Sequence, residues 1–100
     1  MSRDDAHRFL IAYDVADDRR RDRLAKCLLR HGDRVQYSVF VVDVSAARML
    51  RLQHEIAGLI VAVEDSVIYC DLGVARSVDV ARYRVVGRSR HVTGSGPIII

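Results

Sequence analysis

The fold is decided by one stretch of the chain, VQYSVFVV at residues 35–42. Its β-branched and aromatic side chains predict a buried strand. Because side chains alternate along a strand, they form two sets, and both are apolar: Tyr37, Val39 and Val41 against Phe40 and Val42. Helices cover one face of such a sheet, so the other set would face water in a monomer. An apolar face of that kind marks an interface, and we expect a two-fold dimer to bury one of these sets, sheet against sheet.

Further strands lie on both sides of this stretch. The apolar run 9–13 predicts a buried strand that ends at Asp14, and residues 67–70 predict a third strand. Residues 83–86, closed by Gly87, predict a fourth. For residues 73–81 we expect a loop with one helical turn.

Two helices are predicted between the strands. The first follows Asp17 and Asp18, which are good N-cap residues, and we expect Gly32 to end it as a C-cap. Ser45 is the N-cap candidate of the second helix. Its apolar positions step by three and four with Gly58 inside: Met49, Leu52, Ile56, Leu59 and Val63.

These elements predict an α+β fold of the ferredoxin-like βαββαβ type, a four-stranded antiparallel sheet with two helices on one face. Residues 1–92 form this domain, and residues 93–100 form a C-terminal tail. The tail ends in three isoleucines, which would be an aggregation hazard if exposed. We therefore expect it to form a short strand that pairs with the edge of the partner's sheet.

Arginine dominates the basic residues, since of the 16 lysines and arginines only Lys26 is lysine. The arginine fork binds phosphate through two hydrogen bonds, although a codon bias toward arginine explains part of the excess.

The two cysteines, Cys27 and Cys70, lie far apart and predict buried free thiols rather than a disulfide framework or zinc knuckle. The longest apolar run, residues 59–63, is too short to span a bilayer, and the polar start of the chain does not resemble a signal peptide. We expect a cytoplasmic protein with no membrane contact.

The candidate catalytic residue is Asp14, which ends the first strand just before a helix. It either caps a turn or ligates a metal from a rigid strand end. One carboxylate is a poor Mg²⁺ site alone, because Mg²⁺ keeps its waters unless phosphate or further oxygens join. Two copies brought together by a dimer axis would serve better.

A cluster of arginines follows Asp14, namely Arg19, Arg20, Arg21 and Arg23. Arginines in a first helical turn oppose the helix dipole, so either they form a solvated face balanced by nearby aspartates or they bind phosphate. A second basic stretch comprises Arg82, Arg84, Arg88, Arg90 and His91. The residues alone favour neither phosphate binding nor a merely solvated surface for these arginines. The four histidines show no metal-ligand spacing.

Several motifs together resemble the start of the CRISPR-associated protein 2 family. They are IAYDV at 11–15, DRRR at 18–21, LAK at 24–26, GDRVQYSVF at 32–40 and, more weakly, the DSVIY strand at 65–69. The RVQYSVF run is the most specific of them. The sequence departs from the family at Val41, where an acidic residue is common, and at Asp33, where an aromatic residue is common.

The resemblance implies a ferredoxin-like fold, a face-to-face homodimer, and strand exchange by the tail. It also implies that Asp14 is the catalytic residue and coordinates Mg²⁺ across the dimer axis. Family members are described as metal-dependent endonucleases on single-stranded RNA or duplex DNA, and as the adaptor between two dimers of the CRISPR integrase. The nucleic-acid contacts expected here are Arg19, Arg20, Arg21, Arg23 and Arg34, and the dimer contacts are Tyr37, Val39, Val41, Ile98 and Ile99.

The sequence therefore predicts a duplex-binding homodimer of CRISPR spacer acquisition with a possible Mg²⁺-dependent endonuclease activity at Asp14. An alternative is a toxin-type ribonuclease similar to virulence-associated protein D, which resembles the same fold and N-terminal motif. A ferredoxin-like small-molecule sensor is a further alternative, but the sequence carries no signature of a ligand pocket. Fold alone does not separate these functions.

Overall fold

The first strand, β1 (His7–Asp14), lies inside a four-stranded antiparallel sheet in the computed structural model, which describes residues 5–88 and the backbone of residues 98–99. The other elements are α1 (Asp18–Leu29), β2 (Gly32–Gln36), β3 (Val39–Val44), α2 (Ala46–Ala57) and β4 (Ser66–Val74). The strand order is β2-β3-β1-β4, and every neighbouring pair is antiparallel. This arrangement confirms the predicted α+β ferredoxin-like fold.

The core lies between one face of the sheet and the two helices. Odd-numbered β1 side chains, Ile11 and Tyr13, point into it, as do Phe40 and Val42 of β3. From the helices, the core takes Leu24, Cys27, Leu28, Met49, Leu52 and Ile56, each at most 3% exposed. The helical three-and-four spacing of these positions explains why both helices pack on this face.

The predicted strand 35–42 is wrong as a single strand, because the chain turns at Tyr37 and Ser38 to form the β2–β3 hairpin. The hairpin register shifts between Arg34 and Gln36, and the Ser38 carbonyl accepts a 3.1 Å hydrogen bond from the Tyr13 N–H. This turn lacks Gly, Pro, Asn or Asp, and its one turn-favouring residue, Ser38, lies within a β-branched and aromatic run that masks it. The fourth strand of the sheet comes from this split.

Both helices end earlier than predicted. Arg30, not Gly32, is the C-cap of α1, and Gly32 already opens β2. A Cβ at Gly32 would lie 2.2 Å from the Val41 carbonyl oxygen, so glycine is required there by the close approach of β3. In α2, Gly58 is the C-cap rather than an interior residue, while the predicted N-caps Asp17 and Ser45 are confirmed.

The chain after α2 differs most from the sequence prediction. Strand β4 is nine residues long rather than four, and the predicted helical turn is a 3₁₀ turn at Ala75–Ser77. Residues 83–86 do not join the main sheet; β5 (Val85–Val86) pairs in parallel with β6 (Ile98–Ile99) of the same chain. Pairing of the tail with a partner's sheet stays a prediction, and the boundary at residue 92 lies outside the described residues. Within residues 5–88, neither helix is long and apolar enough to cross a membrane.

The Asp65 carboxylate ties the two layers together next to the start of β4. Its side chain is fully buried and accepts hydrogen bonds from Arg20 Nε at 2.8 Å and Arg20 Nη2 at 3.1 Å. The Val61 N–H donates a third at 2.8 Å. Hydrogen bonds from Arg20 first, then from the backbone N–H groups of Val61 and Ala16, hold the pKa of Asp65 below its usual range.

We predict that Asp65→Asn lowers the melting temperature by several degrees at pH 7, because it removes the buried carboxylate that Arg20 binds most closely and leaves only the exposed Glu64 at 3.4 Å. The carboxylate's contribution to stability is complete above its usual pKa of about 3.9 and is lost as the pH falls through the lower folded-state pKa. Thermal unfolding monitored by circular dichroism should therefore show the two proteins converging below about pH 4. Asp22→Asn, in an exposed pair with Lys26, is the control and should melt like the wild type. Equal melting of Asp65→Asn and wild type at pH 7 would contradict this role.

Candidate functional site

Asp14 lies on the face of the sheet that the helices leave uncovered. The even-numbered side chains of β1 point to this side, and Asp14 is the last of them. It is exposed and stands opposite Ser66 of β4. Because β1 is flanked by β3 and β4, the strand brings Asp14 to the middle of the sheet's width rather than to an edge.

The surroundings of Asp14 fit half of a metal site. Among the described residues, Asp14 belongs to no group of three or more histidine, cysteine, aspartate or glutamate side chains close enough to share an ion. An exposed carboxylate on a rigid strand end suits Mg²⁺, which takes oxygen ligands and retains waters. A Mg²⁺ ion bound at Asp14 would need further oxygens from outside the described chain.

We call the apolar part of this uncovered side the open face. Its side chains come from the three strands β1, β3 and β4: Leu10, Ala12, Val39, Val41, Ile68 and Cys70. Ile68 is 62% exposed, whereas Val41 is only 8% exposed. Of the predicted dimer contacts, Val39 and Val41 are on this face, and the opposite set, Phe40 and Val42, is in the core. Cys70 is exposed here, so the prediction of two buried thiols is wrong for Cys70 and confirmed for Cys27.

The remaining predicted dimer contacts lie elsewhere. Tyr37 is in the β2–β3 turn, 56% exposed, beside two arginines. Ile98 and Ile99 are in β6, and their side chains lie outside the described residues. Their part in a dimer stays a prediction.

One end of the uncovered side carries an ion pair with a buried arginine, which the sequence analysis missed. Arg8 is 4% exposed and binds the Asp43 carboxylate through Nε at 2.7 Å and Nη2 at 2.9 Å. Burial chiefly raises the pKa of the nearby Tyr83 hydroxyl, and the Arg8 charge opposes that rise. The only signal in the sequence was an arginine next to an apolar run, because the pairing of β1 with β3 is what brings Arg8 opposite Asp43.

Two of the first-turn arginines of α1 are engaged within the fold. Arg20 binds Asp65 as described, and its Nη2 also lies 3.4 Å from Glu64. Arg21 Nη1 donates to the Val15 carbonyl at 2.8 Å, and Nη2 pairs with Asp18. The Arg20 and Arg21 side chains thus hold the loop that joins β1 to α1.

The other two arginines of this turn, Arg19 and Arg23, are exposed. Within residues 5–88, neither side chain forms a hydrogen bond or ion pair. Their four-residue spacing puts them on the same side of α1. They are the members of the predicted phosphate-binding set that present an uncommitted guanidinium beside the β1–α1 loop.

Arg34 stacks on aromatic rings of the hairpin. Its guanidinium carbon lies 5.6 Å from the Tyr37 ring centre and 5.2 Å from that of Phe40. Arg34 Nε is shielded from solvent and has no hydrogen-bond partner in the described part of the chain. Arg34 and Tyr37 line a groove with Arg21 and Lys26 of α1.

The second basic stretch is only partly described. Arg82 donates from Nη1 to the Leu72 carbonyl at 3.0 Å, next to Gly73, whose φ of +101° favours glycine. Arg84 and Arg88 are exposed. Arg90 and His91 lie outside the described residues.

Comparison with known proteins assigns a family. The family described as CRISPR associated protein Cas2 matches residues 7–78. CRISPR-associated endoribonuclease Cas2 4 of Rhodospirillum rubrum is 48% identical over 61 residues, or 61% of this chain, and the chain spans about half (49%) of that protein. A second protein of that organism, Cas2 3, is 37% identical over 98 residues, covering 91% of this chain and 98% of the relative.

Solved structures show the same likeness. Streptococcus pyogenes Cas2 is similar with a TM-score of 0.63 and 31% identity, covering 66% of this chain and 86% of that one. A partial Cas6-RT-Cas1–Cas2 complex contains a chain with a TM-score of 0.60 and 29% identity, covering 76% of this chain and 92% of its own. Because the family match takes in most of the chain and agrees with the observed sheet, this chain belongs to the CRISPR-associated protein Cas2 family.

Proposed function

We propose that the chain is a homodimeric, duplex-binding subunit of CRISPR spacer acquisition, with Asp14 as a Mg²⁺ ligand shared by the two copies. The observation that carries this proposal is the juxtaposition of Asp14 with the open face. Residues alternate along β1, so Leu10, Ala12 and Asp14 all point to the same side. A partner that covers the apolar residues necessarily approaches the carboxylate as well.

A second copy of the chain is the partner that fits the open face best. Its Ile68 side chain, in β4, is 62% exposed, which is costly for a domain of 100 residues with a small core. Packing two such faces about a two-fold axis buries the apolar residues of both copies. Since β1 is an inner strand, an axis through the middle of the sheet would bring the two Asp14 carboxylates together. Their repulsion would be relieved by a cation between them.

The duplex would bind beside the β1–α1 loop. The exposed guanidinium groups of Arg19 and Arg23 are available there, and a dimer presents this pair twice. Arg20 and Arg21 support these contacts indirectly, because they hold the loop. Arg34, stacked on Tyr37, adds positive charge to the neighbouring groove. The presence of a Cas2 chain in a complex with Cas1 among the similar structures supports an integrase partner of the Cas1 kind for this chain.

Cleavage of RNA or duplex DNA at Asp14 is the second part of the proposal, supported by the name endoribonuclease in the relatives. Bound Mg²⁺ would supply an activated water and stabilise charge on the phosphate. Asp14 would hold the ion, and the arginines of α1 would hold the phosphate backbone near it. The adaptor role needs the dimer and the arginines but not the cleavage.

We predict that the chain sediments as a dimer of about 23 kDa, twice its mass of 11.3 kDa, at micromolar concentration. Ile68→Asp should raise the dimer dissociation constant at least about a hundredfold, because the added carboxylate is buried without a partner in both copies. Val63→Asp is the matched control: Val63 is 91% exposed in the loop after α2, so this change should leave the dimer intact. A monomeric wild type, or an unaffected Ile68→Asp dimer, would refute the face-to-face arrangement.

We predict that Arg19→Ala or Arg23→Ala weakens duplex binding equally for all sequences. Each substitution removes one phosphate contact per copy, so the slope of log affinity against log salt should flatten by about two units in the dimer. Fluorescence anisotropy across a salt series measures both quantities. Arg51→Ala, an exposed arginine on α2, is the control and should behave as the wild type. If neither the affinity nor the slope changes, Arg19 and Arg23 form only a solvated surface.

We predict that Asp14→Asn abolishes Mg²⁺-dependent cleavage of RNA or duplex DNA while the dimer and duplex affinity persist, because only the metal ligand is lost. Asp22→Asn, on the exposed side of α1, should cleave as the wild type does. Cleavage assays with and without chelator test this, beside an integration assay with the Cas1-type partner. If the wild type shows no cleavage above Asp14→Asn and both support integration, the function is the adaptor alone. Cleavage that persists in Asp14→Asn would remove the catalytic assignment.

A further inference from the structure

Three side chains with different ligand chemistry converge where α1 ends against α2. Cys27 is in the last turn of α1, and His31 follows four residues later, so both lie on one side of the helix end. Glu55 is in the last turns of α2. The Cys27 sulfur, a His31 ring nitrogen and a Glu55 carboxylate oxygen all lie within 4.8 Å of one another. Among the described residues, this is the group with the donors and spacing to share a metal ion.

The donor set indicates zinc rather than magnesium or calcium. Thiolate, imidazole and carboxylate are the ligands of Zn²⁺, whereas Mg²⁺ and Ca²⁺ take oxygen ligands. Bonds of about 2.0–2.3 Å in a tetrahedral site put neighbouring donor atoms about 3.4–3.6 Å apart. His31 Nε2 is already 3.8 Å from Glu55 Oε1. Closing the site from the observed 4.8 Å limit requires donor movements of about 1 Å, which side-chain rotation supplies.

Burial and charge also suit a zinc ion. Cys27 is 2% exposed, and the exposed fractions of the His31 and Glu55 side chains rise to 16% and 39%. The site is therefore closed toward the core and open to solvent on the Glu55 side, where a water can complete four ligands. Thiolate and carboxylate together balance the two positive charges of Zn²⁺. Binding would release the Cys27 thiol proton to solvent.

Two arginines lie beside the three donor side chains. Arg30 pairs with Glu55, and Arg48 Nη2 lies 3.4 Å from His31 Nδ1. Both side chains are exposed, Arg30 by 62%, so each can turn into solvent. Arg30 neutralises Glu55 when no metal is bound and competes with a metal for that carboxylate.

We propose that Cys27, His31 and Glu55 form a zinc site that joins the end of α1 to α2, with Arg30 competing for Glu55. The site lies on the helix side of the sheet, whereas Asp14 lies on the uncovered side. It is thus separate from the Mg²⁺ ligand of the proposed function. Asp14→Asn should leave zinc binding unchanged, so the two proposals can fail independently.

The test is zinc binding by the full chain after treatment with a chelator. Dialysis against Zn²⁺ followed by metal analysis should give one zinc per chain, and thermal unfolding should show a higher melting temperature with zinc. His31→Asn and Glu55→Gln, both near the surface, should each weaken binding at least tenfold, because even loss of an outer-shell partner costs about 10- to 100-fold. Arg30→Ala should tighten binding several-fold by removing the competitor.

Cysteine variants give a matched pair, since the chain has one buried and one exposed thiol. With Co²⁺ in place of zinc, the wild type and Cys70→Ser should show a thiolate-to-metal charge-transfer band that Cys27→Ser lacks. His7→Asn controls for the other histidine–carboxylate pair, His7–Asp71, and should keep full zinc affinity. No zinc bound by the wild type, or wild-type affinity in His31→Asn and Glu55→Gln, would overturn the site. Unchanged affinity in Arg30→Ala would overturn the role of Arg30.

Discussion

The Asp65 carboxylate is the interaction on which the candidate site depends. It accepts hydrogen bonds from Arg20 Nε and Nη2, from the Val61 N–H and from the Ala16 N–H, and these bonds lower its pKa. One buried anion therefore connects the first turn of α1, the loop after β1, the loop after α2 and the start of β4. Asp14 ends β1 only four residues before α1 begins at Asp18. This anchor holds the first turn of α1, which carries the arginines that follow Asp14, against the start of β4.

A second constraint is the alternation of side chains along β1 between the two faces of the sheet. Ile11 and Tyr13 are held in the core, and this fixes Leu10, Ala12 and Asp14 on the opposite side. A slip of one residue would exchange the two sets and bury the carboxylate among apolar side chains. Apolar packing on one side of the strand thus determines where a charged group stands on the other. The same registration places Arg8 against Asp43, where a buried fork and a carboxylate close one end of the uncovered side.

Local patterns in the sequence predicted the features that depend only on residues close together in the chain. The N-caps Asp17 and Ser45, the apolar faces of both helices and the position of Asp14 at a strand end are all readable from short-range spacing. The turn at Tyr37 and Ser38 was missed because β-branched and aromatic residues run through it. The end of α1 was misplaced because Gly32 is needed for the close approach of Val41, not for a cap. The end of α2 was misplaced because the apolar spacing continues to Val63 beyond the true C-cap, Gly58. Contacts between distant residues could not be foreseen: Arg20 and Asp65 are 45 positions apart, and Glu55 meets Cys27 and His31 only because α2 packs beside α1.

The arginines at the start of α1 are of two kinds: two that bind atoms within the fold, and two, one on either side of them, that are exposed. Arg20 and Arg21 hold buried or loop atoms, whereas Arg19 and Arg23 end in solvent. Under the proposed function, selection on nucleic-acid affinity would act on the second kind without a penalty in folding, and selection on folding would preserve the first without fixing the affinity. A homologous protein could exchange Arg19 and Arg23 for neutral or acidic residues, adapt to a different nucleic acid or partner, and keep the same scaffold. The run from Arg19 to Arg23 would then combine a surface that can vary with a support that the fold requires.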